Sequence, residues 1–179
     1  MRSATLPHGL ALLREGRGAL LGVLAGEHRL GHLVDVRCSV RADLVVAADH
    51  AKFGIPEVKR GLVAAGGGTR LPTRIPLQIA LEMGLTGETF GAQRALELGL
   101  INRVVPGAEV MDAALALAAL INANGPLAVQ ATKRLMREEI GPDNSDHVRA
   151  VTAPVFASAD AREGAVAFAE KRDPIWKGE

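Results

Sequence analysis

At 179 residues and a net charge of +1, the chain is long enough to bury one substantial core, and its charge alone implies no polyanionic partner. Apolar residues at 48% and charged residues at 23% exclude disorder by composition, while 3% aromatics leave little with which to stack nucleic-acid bases. Cys38, the single cysteine, excludes an intramolecular disulfide and fits a reducing compartment.

In chain order, residues 1–42 stand apart. They hold Arg2, Arg14, Arg17, Arg29, Arg37 and Arg41 but no lysine, with His8, His28 and His32. The start is broken by Pro7, His8 and Arg14 and makes a poor signal peptide, and no apolar run reaches the ~18 residues of a membrane span. A soluble, cytoplasmic, α-rich protein without a membrane or nucleic-acid partner is the expectation. "GALLGVLAG" (Gly18 to Gly26) reads as either a short buried strand or a helix. "DLVVAA" (Asp43 to Ala48) predicts a buried strand. "AKFGI" (Ala51 to Ile55) predicts a shorter one, ended by Pro56, which biases Ile55 to an extended backbone.

From Pro76 onward the pattern is helical. "PLQIALEMGLTG" places proline at a first helical position, and "GAQRALELGLI" ends at Gly99, a natural C-cap before the extended "INRVVP". Val110, Ala113, Ala114, Leu117 and Ile121 mark one face of a helix over Glu109 to Ala123. "GPLAVQATKRLMREE" starts another with Pro126 at its first position. Two more are predicted over Asn144 to Ala157 and Asp160 to Arg172, the last opened by an Asp160/Glu163 capping box.

Two local features carry chemistry. Glu57 follows a strand and a proline, which tether its carboxylate rigidly, and apolar surroundings would let it exchange protons near neutrality. "AAGGGTRLP" lets backbone N–H groups, at Gly66 and Gly67 in particular, converge on an anion or a polarised oxygen. No Gly-Lys-Ser/Thr follows, so this is not a nucleotide-phosphate loop. Each feature taken alone also fits a plainer reading: a surface glutamate, and glycines that allow a tight turn.

Together, "DLVVAADHAKFGIPEVKRGLVAAGGGTRLP", "LTGETFGAQRALELGLINRVVP" and "SADAREGAVAFAEKRDPIWKG" resemble, in order, segments of the enoyl-CoA hydratase/isomerase (crotonase) family. The resemblance runs from about Asp43 to Lys177. It implies an α/β (α+β) fold with a crotonase-like core of ββα spiral turns, incomplete at the N-terminus, and a C-terminal helical region. The expected organisation is a divergent segment 1–42, a partial core 43–108 and a trimerisation-type helical region 109–179. It further implies an acyl-CoA thioester as substrate, no metal or redox cofactor, and assembly into a homotrimer or hexamer. Glu57 stands at the position of the family glutamate that protonates the α-carbon while activating water. Phe168 and Lys171 match closing-helix positions that meet CoA, with packing and a solvated charge as their plainer readings.

The chain departs from the family upstream. The first family glutamate falls at Arg37, and the glycine whose N–H completes the oxyanion hole falls at Val34; nothing in the spacing puts Asp35 in the glutamate's place. Loss of one oxyanion donor costs on the order of a hundredfold in rate. Three readings stay open: a hydratase using Glu57, an enoyl-CoA isomerase working with one carboxylate, and a family fold kept for a structural role without turnover. The abrupt start of resemblance suggests that residues 1–42 are read in a shifted frame. A Gly-Gly-x-x-Glu-like turn in one of the other two frames of the coding DNA is the expected outcome, and its absence from both sinks the idea.

Overall fold

The computed structural model of the chain describes residues 2–6, 10–15, 19–24, 33–40, 42–65, 68–138 and 145–179. The chain divides into two compact units, Met1–Glu15 with Leu20–Ala116, and Gly16–Ala19 with Leu117–Glu179.

Two sheets build the first unit. One has the order β1 (Arg2–Leu6), β2 (Leu10–Glu15), β3 (Ala19–Leu24), β5 (Leu44–Ala48), β8 (Arg103–Val105). The other has the order β4 (Leu33–Asp35), β6 (Lys52–Gly54), β7 (Thr89–Gly91). Strands β3, β5 and β8 run parallel, as do β4 and β6, whereas β7 returns antiparallel to β6. Parallel neighbours cannot be joined by a hairpin, so the chain must travel round before it pairs again. From β3 to β6 it does so by sending successive strands to alternate sheets. β3 and β4 lead into helix α1 (Val36–Ser39), and β5 and β6 lead into a 3-10 turn and helix α2 (Leu77–Thr86). β7 leads through α3 (Ala92–Glu97) to β8. These are the spiral turns the family resemblance implies.

The residues explain the path. Val45, Val46, Ala47 and Ala48 of β5 are all buried, as a strand covered on both faces requires. Asn102 pins β5 from the side, its Oδ1 accepting from Val45 N–H at 2.7 Å while its own N–H donates to the Val45 carbonyl at 2.9 Å. Phe53, Leu71, Met83 and Leu100 are the largest fully buried side chains of the core. Val110 and Ala114, at the start of α4 (Val110–Asn122), are buried as the helical face predicts.

Three local expectations shift. Pro76 is the cap before α2, with φ −51° and ψ 138°, rather than its first residue. Gly99 lies one residue beyond the α3 cap at Leu98, where φ +76° suits glycine. Within "GALLGVLAG", Ala19–Leu24 form a strand, β3.

The second unit holds α5 (Pro126–Arg137), α6 (Ser145–Phe156) and α7 (Ala159–Glu170), each packed on the next. The expected Asp160/Glu163 capping box does not form. Ser158 caps α7 instead, its hydroxyl accepting from Ala161 N–H at 3.0 Å. The two acids bind the tail that follows the helix. Asp160 is buried and accepts from Lys177 N–H at 2.7 Å and Gly178 N–H at 2.9 Å. Glu163 takes the Arg172 guanidinium on both oxygens, at 2.7 and 3.1 Å, and Ile175 N–H at 2.9 Å. Such charge-assisted bonds are about twice as strong as neutral ones, which is why the tail wins both carboxylates from the helix end. Trp176 completes the latch, its Nε1 donating to the Ala123 carbonyl at 2.8 Å and its ring lying over Gly164, where a Cβ would come within 3.1 Å.

Two predictions follow from this packing. Ser39 Oγ is buried without a partner among the described residues, and a hydroxyl left so costs about 1–3 kcal/mol. Ser39→Ala is expected to raise stability by roughly 1 kcal/mol, read as a higher urea midpoint; a lower midpoint contradicts the assignment. The Arg172 pairing first, and the Ile175 N–H second, hold the Glu163 carboxyl down to about 2 from an ordinary 4.5. A depressed carboxylate stabilises the fold above its unfolded value and loses that contribution as pH falls towards its folded value. The latch therefore weakens from about pH 4.5 down to about 2. Fluorescence of Trp176, the single tryptophan, is expected to shift to the red across that window, and Glu163→Gln to show the shifted emission already at neutral pH.

Candidate functional site

Glu57 sits in the 3-10 turn Pro56–Arg60 that leaves β6 directly. Pro56 opens the turn with a fixed φ, and Gly61 closes it in the left-handed region at φ 67°. Gly61 N–H donates to the Val58 carbonyl at 3.1 Å and Leu62 N–H to the Glu57 carbonyl at 3.0 Å, so the backbone around the glutamate is fixed on both sides. Its side chain is half-buried. Oε2 is buried and has no hydrogen-bond partner among the described residues. A native fold rarely leaves a buried carboxylate oxygen unpaired, because the lost hydration is not replaced. An acceptor in that state is free to take a proton or a donor from a ligand.

The sheet register places a second element beside it. In the parallel pair β4/β6, Val34 lies opposite Phe53 and Asp35 opposite Gly54. Parallel strands are left at the same end. One chain passes into α1, which carries Arg37 two residues beyond Asp35; the other passes into the turn with Glu57 three residues beyond Gly54. The positions matched to the two family glutamates therefore emerge side by side at one end of the sheet, one holding a carboxylate and the other an arginine. Arg74 ties the neighbouring loop to α1, donating to the Ala42 carbonyl at 2.7 Å and, at 3.4 Å, to that of Ser39.

Gly66 and Gly67 lie outside the described residues. Their flanks close tightly: Ala65 N–H donates to the Val63 carbonyl at 2.8 Å, and a Cβ on Gly68 would fall 2.8 Å from Ala64 Cβ and 3.5 Å from Ile55 Cδ1. Gly68 thus lies close to Ala64 and to Ile55, the residue two before Glu57.

Phe168 and Lys171 belong to the second unit, at the end of α7, and the structure brings these two together. Phe168 is 88% exposed, so the packing reading fails within this chain. Lys171 is exposed and caps α7 with φ 55°, the single non-glycine residue at positive φ among those described. A cleft of about 540 Å³ lies between α7 and the tail, bordered by Arg162, Val166, Ile175 and Lys177 and by the paired Glu163 and Arg172. Among the described residues no three of His, Cys, Asp and Glu converge as metal ligands.

Sequence reasoning missed a long-range contact at the Glu57 turn. Lys59 Nζ meets Glu88 Oε1 at 2.7 Å, a pair 29 residues apart that no local pattern announces.

Comparison with known proteins bears on all of this. The family model described as Enoyl-CoA hydratase/isomerase matches residues 36–179. A carnitinyl-CoA dehydratase of Escherichia coli K12 is 43% identical over 148 residues, 78% of this chain and 57% of that protein. The crystal structure of an enoyl-CoA hydratase from Mycobacterium tuberculosis H37Rv is 51% identical and superposes with a TM-score of 0.78, covering 83% of this chain and 62% of that one. An enoyl-CoA hydratase from Bacillus anthracis gives 32% identity and a TM-score of 0.77, over 82% and 60%. The chain thus spans a little over half the length of the curated relatives it matches. With its spiral core, its alternating sheets and a family match over most of its length, the chain belongs to the enoyl-CoA hydratase/isomerase family.

Proposed function

We propose that the chain acts on an acyl-CoA thioester, adding water to a 2-enoyl-CoA or removing it from the 3-hydroxy thioester, with Glu57 as the acid/base group. The observation that carries this reading is the buried Oε2 of Glu57, unpartnered among the described residues, at the end of β6 and beside the exit of β4. In the hydration direction Glu57 draws a proton from water as oxygen bonds to C3, and delivers a proton to C2. The charge that gathers on the thioester oxygen in between needs N–H donors, a service usually worth several kcal/mol. Val34 keeps an N–H at the matched position, and the glycine loop is the natural source of further polar backbone. CoA enters as part of the substrate, so the reaction as written needs no other cofactor. In the same reading Phe168 and Lys171 meet the CoA moiety, the substrate is a fatty acyl group, and the chain works in the cytoplasm as a homotrimer or hexamer. The relatives, a dehydratase and hydratases by name, support water chemistry and leave the acyl group open.

Arg37 favours a second reading. Moving a double bond requires one base that takes a proton from one carbon and returns it to another, and a single carboxylate serves for that.

Both readings are tested by following the ultraviolet absorbance of crotonyl-CoA and of a 3-enoyl-CoA with the wild-type chain and Glu57→Gln. The expected result is consumption of crotonyl-CoA, slowed by about a hundredfold or more in the variant. Turnover of the 3-enoyl thioester alone assigns isomerisation. Equal background rates in both proteins exclude the lyase, and CoA-thioester binding without turnover then assigns a non-catalytic role.

A further inference from the structure

We infer that the last turn of α2 is a clamp that positions Glu57, and that Gly87 is its positioning residue. The kinetic consequence rests on the acid/base reading of Glu57; the structural one rests on geometry alone.

Because Oε2 of Glu57 has no partner among the described residues, no hydrogen bond from them to that oxygen fixes the carboxylate. Its place is set by the backbone of the Pro56–Arg60 turn, and α2 bears on that turn on both sides of the glutamate. Before it, a Cβ on Gly84 would stand 3.4 Å from Ile55 Cδ1. After it, a Cβ on Gly87 would stand 2.9 Å from Lys59 Cγ and 3.2 Å from Val58 Cγ2. Glu88, the next residue, holds Lys59 Nζ at 2.7 Å. The clamp is anchored in turn. Gly87 N–H donates to the carbonyl of Met83, whose side chain is fully buried in the core.

Two effects compete for the credit. The Lys59–Glu88 pair is exposed on both sides, and such pairs are worth about 0–1 kcal/mol. The steric contact is stricter. Lys59 Cγ lies near the main chain rather than at the free end of the side chain, so relief of a 2.9 Å contact takes either a shift of the turn or a rotation of Lys59 about χ1 that gives up its pair with Glu88. Gly87 also sits at φ +65°, a region that alanine enters at a cost. An alanine there therefore does two things, straining α2 and pushing the Glu57 turn.

Gly99 separates them. It has φ +76° and nothing within 4 Å of its absent Cβ, so Gly99→Ala carries the backbone strain without the push. With crotonyl-CoA, Gly87→Ala is expected to lower kcat by roughly tenfold or more while KM stays within about twofold, since small misplacements of a reacting group are costly. Gly99→Ala is expected to lose thermal stability alone. In a Glu57→Gln background Gly87→Ala should cost nothing further, because it acts through that carboxylate. A second readout is independent of turnover: the carboxyl ¹³C resonance of Glu57, assigned by its loss in Glu57→Gln, should move in Gly87→Ala and stay put in Gly99→Ala. If the wild-type chain turns nothing over, the functional reading fails and this resonance alone decides the clamp. If Gly87→Ala does not fold, Lys59→Ala, which removes the stem beneath Gly87, is judged on the same readouts. Variants at 87 or 59 that match Gly99→Ala in kcat, or in the resonance where there is no turnover, overturn the inference.

Discussion

The parallel pairing of β4 with β6, Asp35 opposite Gly54, is the constraint on which the rest of the site depends. A hairpin would have put the two exits at opposite ends; a parallel pair puts them together. That pairing forces the chain round through other elements between the two strands, and the alternation between sheets follows from it. The buried Phe53 gives β6 its core face, and the buried run Val45–Ala48 does the same for β5. What emerges at the shared end is then decided by single residues, and those residues can change without disturbing the ladder behind them.

This separation of scaffold from chemistry explains how a family fold coexists with an altered site. Glu57 is fixed by Pro56, Gly61 and the α2 clamp, none of which depends on residue 37.

How much of this was legible in the residues varied with the range of the interaction responsible. β5, β6 and the helices α2 to α7 follow from short patterns, because apolar spacing and caps act within a few residues. β7 was not read, since Thr89-Phe90-Gly91 is three residues long and is made a strand by pairing with Lys52–Gly54. The capping box failed for a related reason. Asp160 and Glu163 have the right spacing, but the tail donors of Ile175, Lys177 and Gly178 arrive from 12 to 18 residues away and outcompete the helix end. Glu57 itself was legible through the proline before it and through resemblance. Its oxygen, unpartnered among the described residues, was not, because the turn that carries it packs against the end of the later helix α2.

The end of α7 shows the same logic from the other side. A left-handed cap is glycine's place, and an L-residue there costs on the order of 1 kcal/mol. The chain has Lys171 in that place, with Phe168 one turn earlier and 88% exposed. Burial would have rewarded the phenylalanine by about 1.5–3 kcal/mol, and glycine would have relieved the cap. Neither is realised within the chain, although the tail beside them is bound through Asp160, Glu163 and Trp176. The bound tail leaves Phe168 and Lys171 exposed at the end of α7, and that exposure removes the phenylalanine from the core.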